Sequence, residues 1–493
     1  HYRSHSFPTR RSSDLIKIPK NTKIKAVTNS SKKVTKDSIF FGFQGTKVHG
    51  SKYAEDAIKN GASLVIHDDP LFVKNNEKII YSKDLKKNII KFLDSFYSID
   101  INSNNFFAFT GTNGKSSTAY ICHQLLRNMD YESLYVGTLG IKHNDEKIQT
   151  KFSNKTTPDI FELYEIISSL NFGLDSMSVC LEVSSHALDQ NRLDGIQWLN
   201  SASILNIGED HLDYHKDISS YRDSKFSIFK MNSPIKLVVD ESNNFVKDYD
   251  FLNETKLTSI SSKNNFSDIY FKITKANIKN CEFKIFLNNP PSGQEIHKNK
   301  KYKFKCALFP EFNITNLVFA ISSVGFDEFS DKYVNDLSFI KLPKGRTEVI
   351  NNISKNIIID YAHNSHSFEV LLCSIKKYFD NLILVFGFGG DRDKSKRAKM
   401  LQIALDNSSK IFLTSDNSRS EKFENIIKDA MKGNNEGDIT IIEDRKEAII
   451  NANKFLDKNS CLLILGKGHE QTQEIDGKIY HFSDHEVVDE IYN

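Results

Sequence analysis

Residues 106–118, FFAFTGTNGKSST, carry the clearest chemistry in this 493-residue chain. An apolar run, Phe106–Phe109, leads into Gly111-Thr112-Asn113-Gly114-Lys115-Ser116-Ser117, and a helical pattern starts at once. Glycines there let backbone N–H groups curl around phosphate oxygens, and the helix N-terminus adds partial positive charge. Lys115 can neutralise the terminal phosphates of a nucleotide, and the Ser116 hydroxyl can ligate Mg²⁺. A plain glycine turn before a surface helix would not need the Lys-Ser pair. Phe109 stands where the longer loop of kinases and GTPases has its first glycine. The loop is the shorter GTNGKS form, which disfavours those classes.

Three other positions join this loop in the argument. Glu182 ends the apolar part of SVCLEVSSHALDQNR, where a carboxylate can hold Mg²⁺ beside the loop serine. His211 lies in NIGEDHLDYH and Lys225 in YRDSKFSIFK. Taken singly, each has an ordinary explanation: a helix-capping or solvated carboxylate, a structural histidine, a surface lysine.

These residues need strands and helices to hold them. The fold class expected is α/β in three domains. Over 16–101, short apolar runs (Ser38–Phe43, Ala62–His67, Lys78–Tyr81) surround a helical stretch, Tyr53–Asn60, that stops at Gly61. This is a small N-terminal α/β domain. Over 102–342, strands at Phe106–Phe109, Ser176–Glu182 and Ser201–Ile207 alternate with helices, one of them presenting Ala119, Cys122, Leu125, Leu126 and Met129 on one face. That alternation predicts a parallel-sheet domain carrying the phosphate loop. Residues 250–305 alternate apolar with Lys and Asn and predict peripheral antiparallel strands. Over 343–493 the pattern restarts, with strands at Ile357–Asp360, Leu382–Phe386, Lys410–Thr414, Ile439–Ile442 and Cys461–Leu465. This predicts a Rossmann-like C-terminal domain with ligands beyond the carboxyl ends of its strands. Residues 1–15, HYRSHSFPTRRSSDL, differ from the Lys-, Asn- and Ile-rich body and are expected to be a non-native leader or a frayed terminus.

Composition narrows the classes. The chain has 66 Lys and Arg against 63 Asp and Glu, a net charge of +3 with no block of one sign. No basic patch with interleaved aromatics favours nucleic acid. No apolar stretch approaches the ~20 residues of a membrane span, and no secretory signal is present, so no membrane role and a cytoplasmic location are expected. Six cysteines, none in a Cys-x-x-Cys pair, read as buried thiols of a reducing compartment.

Ten motifs in register complete the reading: GTNGKSS, EVSSHALDQNR, NIGEDHLDYH, YRDSKFSIF, PEFNITN, KGRTE, DYAHNSHSFE, GFGGDRDKSKR, TSDNSRSE and GKGHE. From about residue 24 to the C-terminus the chain resembles the Mur ligases of peptidoglycan synthesis, and among them those that add the third peptide residue. The resemblance implies a UDP-binding N-terminal domain, a central ATPase domain and a C-terminal domain that brings the amino-acid site. ATP would phosphorylate a D-glutamyl carboxylate, and an incoming amine would displace the phosphate. The Mg²⁺ ligands map onto Ser116, Glu182 and His211, and a carbamylated lysine onto Lys225. Asn313, Arg346 and Asp360 map onto nucleotide contacts, with His363 in the same motif. Ser30, Thr156, Thr157, Ser184, Gln190 and Arg192 map onto contacts to the partner substrate, UDP-N-acetylmuramoyl-L-alanyl-D-glutamate. Such chemistry needs no protein nucleophile, only positioning and cancellation of phosphate charge by Lys115, Arg346 and Mg²⁺.

The loop Asp416-Asn417-Ser418-Arg419 resembles the loop of diaminopimelate-adding members; lysine-adding ones lack the arginine. Meso-diaminopimelate carries a second carboxylate, which Arg419 can grip as a fork. Arg392, Gly466 and Glu470 map onto the same site, Glu470 as a partner for the distal ammonium. Two departures stand out. Ser418 replaces the usual proline, so a less rigid loop is expected. Asn29-Ser30-Ser31-Lys32 replaces an Asp-Ser-Arg, which leaves Ser30 alone of those uridine contacts. A monomer is expected. The competing readings are an L-lysine-adding enzyme, another Mur or folylpolyglutamate-type ligase, and a non-catalytic nucleotide-binding protein. The intact Lys115, Glu182, His211 and Lys225 speak against the last.

Overall fold

The computed structural model describes residues 18–19, 22–45, 47–149, 155–170, 176–231, 233–243, 249, 257–350, 355–433 and 437–492. The expectation for residues 1–15 lies outside them.

The N-terminal sheet has four parallel strands in chain order: Ala26–Thr28, Ser38–Gly42, Ala62–His67 and Ile79–Tyr81. The helix between the second and third runs Ala54–Lys59. It stops at Gly61, whose φ of +103° and approach to Lys36 leave no comfortable place for a side chain. A longer helix, Leu85–Tyr97, buries Leu85, Ile89, Phe92, Leu93 and Phe96 at helical spacing. Phe41 of the N-terminal sheet meets Phe92 at 5.3 Å and Phe161 of the central domain at 5.5 Å between ring centroids. This shared aromatic core fixes the N-terminal domain against the next.

The central sheet has twelve strands, and its middle sets the chemistry. Asn105–Thr110 lies between Ser178–Glu182 and Ser201–Ile204, parallel to both. Phe109 pairs with Glu182 and Thr110 with Ile204. The carboxyl ends of three buried strands therefore open side by side, as expected of a ligand site in a parallel sheet. The Lys/Asn-rich stretch forms antiparallel strands at one edge, Ile269–Ala276, Cys281–Leu287 and Lys301–Cys306.

The C-terminal sheet is doubly wound. Its parallel strands are, in spatial order, Asn356–Asp360, Ser460–Leu465, Asn381–Phe386, Lys410–Leu413 and Ile439–Ile441, with a short antiparallel strand, Glu348–Val349, at one edge. Apolar clusters cover both faces, so the strands read as continuous hydrophobic runs. The last helix, Asp484–Tyr492, is tied in by a two-pronged pair from fully buried Arg445 to Asp484, each contact 2.8 Å. Among the described residues no helix is long and apolar enough to cross a membrane.

Candidate active site

The phosphate loop is held open from behind. Gly111 (φ +149°) and Gly114 (φ +87°) take conformations that side chains rarely adopt, and a Cβ on Gly114 would sit 2.5 Å from Asn316 Oδ1. Asn206 braces the loop twice: its Oδ1 accepts from the Asn113 N–H at 3.0 Å and its Nδ2 donates to the Asn113 carbonyl at 3.1 Å. Thr112 Oγ1 lies 3.0 Å from the Tyr221 hydroxyl and accepts from the Gly208 N–H at 2.9 Å. The helix Lys115–Asn128 starts directly after Gly114, so its N-terminus faces the loop.

Two lysines meet on Gly111. Lys115 Nζ donates to the carbonyls of Gly111 (3.0 Å) and Thr112 (2.8 Å), and Lys225 Nζ donates to Gly111 at 2.8 Å. Lys225 is 1% exposed and lies over the Tyr221 ring at 4.5 Å. Burial, then the neighbouring Lys115, hold the Lys225 ammonium well below its ordinary range, with Asp210 opposing. Burial lowers Lys115 too, against Glu182 and Asp210.

Ser116 Oγ donates to Glu182 Oε1 at 2.9 Å, and Arg346 donates to Ser116 Oγ at 3.2 Å from the C-terminal domain. The other oxygen of Glu182 is occupied by the Thr138 N–H at 2.8 Å and the Tyr135 hydroxyl at 3.4 Å. Oε1 and Ser116 Oγ thus form a small set of hard oxygen donors of the kind Mg²⁺ takes when phosphates and water complete its shell. Among the described residues no three His, Cys, Asp or Glu side chains converge as a metal cluster. His211 sits in the left-handed region (φ +53°), its ring edge-on to His186 at 4.9 Å, and burial pushes its pKa down to about 4, which leaves it neutral. Arg346 lies 4.5 Å over the Tyr361 ring, and its buried Nε has no partner among the described residues. An unpaired guanidinium N–H beside a phosphate loop calls for an anionic acceptor.

These groups line a cavity of about 430 Å³ with Asn113, Ser117, Thr156, Ser184 and Asn313. Asp360 also lines it, though three donors from Thr347 and Ala362 occupy its carboxylate, and burial raises its pKa. Asn313 is tied to the Phe309 carbonyl at 3.0 Å and accepts from Asn316 at 2.9 Å.

A second cavity, about 550 Å³, holds Arg392, Asp416, Asn417, Arg419, Gly466 and Glu470. Arg419 donates to the carbonyls of Gly390 (2.8 Å) and Asn417 (3.3 Å), and its Nε lies 3.5 Å from Glu474. The Asp-Asn-Ser-Arg loop is firmly held despite Ser418. The Arg419 N–H donates to the Glu474 carbonyl at 3.0 Å, Arg419 bridges to Ile475, and a Cβ on Gly390 would lie 1.9 Å from the Ser418 carbonyl. Lys467, fully buried, reaches Glu470 at 3.3 Å and Asp416 and Asn417 at 3.4 Å. The two cavities share Asp210, His211, Tyr361, His363, Asn364 and His366, so they form one cleft across the domain boundary.

A third cavity, about 950 Å³, lies between the N-terminal and central domains and includes Gln190 and Arg192. Arg192 donates to Gln190 Oε1 at 2.7 Å and to the Thr157 carbonyl at 2.9 Å. Thr157 is buried and reaches Glu182 and Ser184 instead. Ser30 does not line this cavity; its neighbour Asn29 does.

Residues 23–97 match the Mur ligase family catalytic domain, 109–324 the Mur ligase middle domain and 345–468 the Mur ligase glutamate ligase domain. A protein of Clostridium perfringens (strain 13 / Type A) named UDP-N-acetylmuramoyl-L-alanyl-D-glutamate--2,6-diaminopimelate ligase is 31% identical over 488 residues, 97% of each chain. The chain belongs to the Mur ligase family. A relative of the same name from Prochlorococcus marinus subsp. pastoris is 34% identical over 501 residues, 97% of this chain and 95% of that one. A solved structure of a ligase of that name matches with a TM-score of 0.64 at 25% identity, over 99% of this chain and 98% of that one. The family read from the ten motifs, and the three-domain α/β fold, are borne out.

Several residues of this Mur ligase site escape reading from sequence alone. Asn206, Asn316 and Thr138 are common polar residues whose roles depend on which strand ends are neighbours. Lys467 is fully buried although it stands in a Gly-Lys-Gly turn after an apolar strand, where the sequence alone reads as an exposed lysine.

Proposed function

We propose that this Mur ligase consumes ATP to join meso-2,6-diaminopimelate to the D-glutamyl carboxylate of UDP-N-acetylmuramoyl-L-alanyl-D-glutamate, through an acyl phosphate, in peptidoglycan synthesis. The observation that carries it is the single cleft, with a phosphate loop at one end and the Arg419 pocket at the other. A phosphoryl donor and an amine acceptor can meet there, and the third cavity leaves room for a bulky nucleotide sugar.

In this reading the loop N–H groups, Lys115 and Arg346 hold the nucleotide phosphates and spread their charge. Ser116 and Glu182, with His211, would hold Mg²⁺, which supplies further neutralisation of phosphate charge. Asn313 and Asp360 shape the nucleotide pocket. Lys225 is a buried amine whose pKa burial and Lys115 lower, which favours carbamylation by CO₂, and its carbamate would carry a negative charge to the metal side of Gly111. Gln190 and Arg192 face the nucleotide sugar, Thr156 and Ser184 line the path of its peptide, and buried Thr157 holds Ser184 in place. Arg419 and Arg392 take the distal carboxylate of diaminopimelate, and Glu470 its ammonium, oriented by Asn417 and Lys467. Closure of the C-terminal domain over the loop excludes water from the labile acyl phosphate. A single chain carries all three cavities, so a monomer suffices, and an ATP-consuming reaction on a nucleotide sugar fits the cytoplasm.

The test is phosphate release by the purified protein with ATP and Mg²⁺. Release is expected only when UDP-N-acetylmuramoyl-L-alanyl-D-glutamate and meso-diaminopimelate are both supplied, with one amide formed per phosphate. Release without the nucleotide sugar, or without amide, would refute the proposal.

A further inference from the structure

We infer that His363 is the catalytic base that takes the proton from the attacking amine, a role that rests on the acyl-phosphate reading above. An amine cannot form an amide while it keeps all its protons. The amine arrives as an ammonium, so two protons must leave its nitrogen. The first, taken by His363, frees the lone pair that forms the C–N bond, and the second leaves on the departing phosphate as the C–O bond breaks with its electron pair. The proton acceptor must stand where the amine from the Arg419 pocket meets the acyl group by the phosphate loop. Six side chains line both cavities: Asp210, His211, Tyr361, His363, Asn364 and His366.

Five of them are unsuited. Asn364 is an amide, and burial pushes the Tyr361 hydroxyl up to about 12. His211 belongs to the proposed cation site. His366 Nδ1 lies 2.9 Å from Asn113 Nδ2, an amide that donates, and its ring packs onto Gly208, where a Cβ would sit 3.2 Å from it. Both oxygens of Asp210 are engaged, Oδ1 by the His211 N–H at 3.0 Å and Oδ2 by Asn364 at 3.3 Å.

His363 has the required geometry. Its Nδ1 lies 2.8 Å from the Tyr361 carbonyl, an acceptor only, so Nδ1 carries the hydrogen and Nε2 keeps its lone pair. This is the orienting contact by which a second group fixes the tautomer of a catalytic imidazole. The ring rests against Tyr361 at 4.8 Å and is exposed to the cleft, so an incoming amine can reach it. The charged groups around it are Asp210, Lys396 and Arg346; burial in the cleft lowers its pKa first, Asp210 opposes, and Lys396 and Arg346 add to the fall, so the imidazole is neutral at pH 7. Lys396 also donates to the His363 carbonyl at 3.1 Å, which fixes this turn from the far side.

The experiment compares two nucleophiles on wild type, His363→Gln and His363→Asn, each checked for the wild-type thermal midpoint. With meso-diaminopimelate, an ammonium at pH 7, the kcat of both variants should fall at least about 100-fold, in line with a lost general base. With hydroxylamine, already neutral at pH 7, hydroxamate formation from the same acyl phosphate should stay within about threefold of wild type. The acid limb of the wild-type kcat profile should be missing from the residual activity. Wild-type kcat on diaminopimelate in either variant, or equal loss with both nucleophiles, would overturn the assignment. Wild type that forms neither hydroxamate nor amide would overturn the acyl-phosphate reading itself, and the base with it.

Discussion

Arg419→Lys separates the fork from the charge at the amino-acid end of the cleft. In the structure NH1 is already committed to Gly390 and Asn417, and Nε faces Glu474. What Arg419 has left for a ligand carboxylate is chiefly NH2 and its charge, about one charge-assisted hydrogen bond rather than a full pair. Such a bond contributes ~1.5–3 kcal/mol. At 1.4 kcal/mol per decade, losing it raises the KM for meso-diaminopimelate about 10- to 150-fold. A lysine restores charge but cannot bond Gly390, Asn417 and the ligand at once, so the lower part of that range is expected for Lys and the upper part for Ala. The KM for ATP should stay within about twofold, because the nucleotide cavity lies beyond Tyr361 and His363. Steady-state phosphate release with each substrate varied in turn reads both constants. An unchanged KM for diaminopimelate, or a matching rise in the KM for ATP, would remove Arg419 from the pocket.

Three further outcomes follow from the same geometry. Arg192→Ala should raise the KM for UDP-N-acetylmuramoyl-L-alanyl-D-glutamate more than about tenfold while sparing ATP, since Arg192 lines only the third cavity; equal KM values would place the nucleotide sugar elsewhere. Arg445→Ala strands Asp484 in a fully buried position, and breaking such a pair costs about 3–5 kcal/mol; thermal unfolding should show a clearly lowered transition, and an unchanged one would mean the pair is dispensable. Burial holds His123 at about 4, below its ordinary 6.5, so the unfolded chain takes up a proton that the folded chain refuses. The stability this gives is fully present above pH 6.5 and is lost as the pH falls towards 4. Thermal midpoints measured from pH 7 to 4.5 should fall, less steeply in His123→Gln; identical slopes would contradict the assignment.

The sequence made the phosphate loop legible because its requirements are local: glycines for positive φ, a lysine, a hydroxyl and a helix start within a few residues. The C-terminal strands were placed to within a residue or two at each end, because strands buried on both faces are unbroken apolar runs. The helix Leu85–Tyr97 is hard to read from sequence although Leu85, Ile89, Phe92, Leu93 and Phe96 repeat at its period, because three lysines interrupt the run and Ser98, not glycine, takes the left-handed stop. Glu182, His211 and Lys225 were unremarkable one by one. They gain meaning only from strand order, which sets Ser178–Glu182 and Ser201–Ile204 on either side of the loop strand. Thr156 and Ser184 were grouped with Gln190 and Arg192 on the substrate path. Thr156 and Ser184 line the cavity of the phosphate loop and Gln190 and Arg192 the third cavity, so a substrate that meets all four must span both. Spacing along the chain cannot distinguish the two cavities.

The most direct measurement offers the purified protein ATP, Mg²⁺ and UDP-N-acetylmuramoyl-L-alanyl-D-glutamate with equal concentrations of meso-diaminopimelate and L-lysine, and weighs the product. A product heavier by one diaminopimelate residue, with little or no lysine adduct, is the predicted result. A predominant lysine adduct would keep the ligase but contradict the role given to Arg419, and no adduct of either kind would contradict the proposed reaction itself.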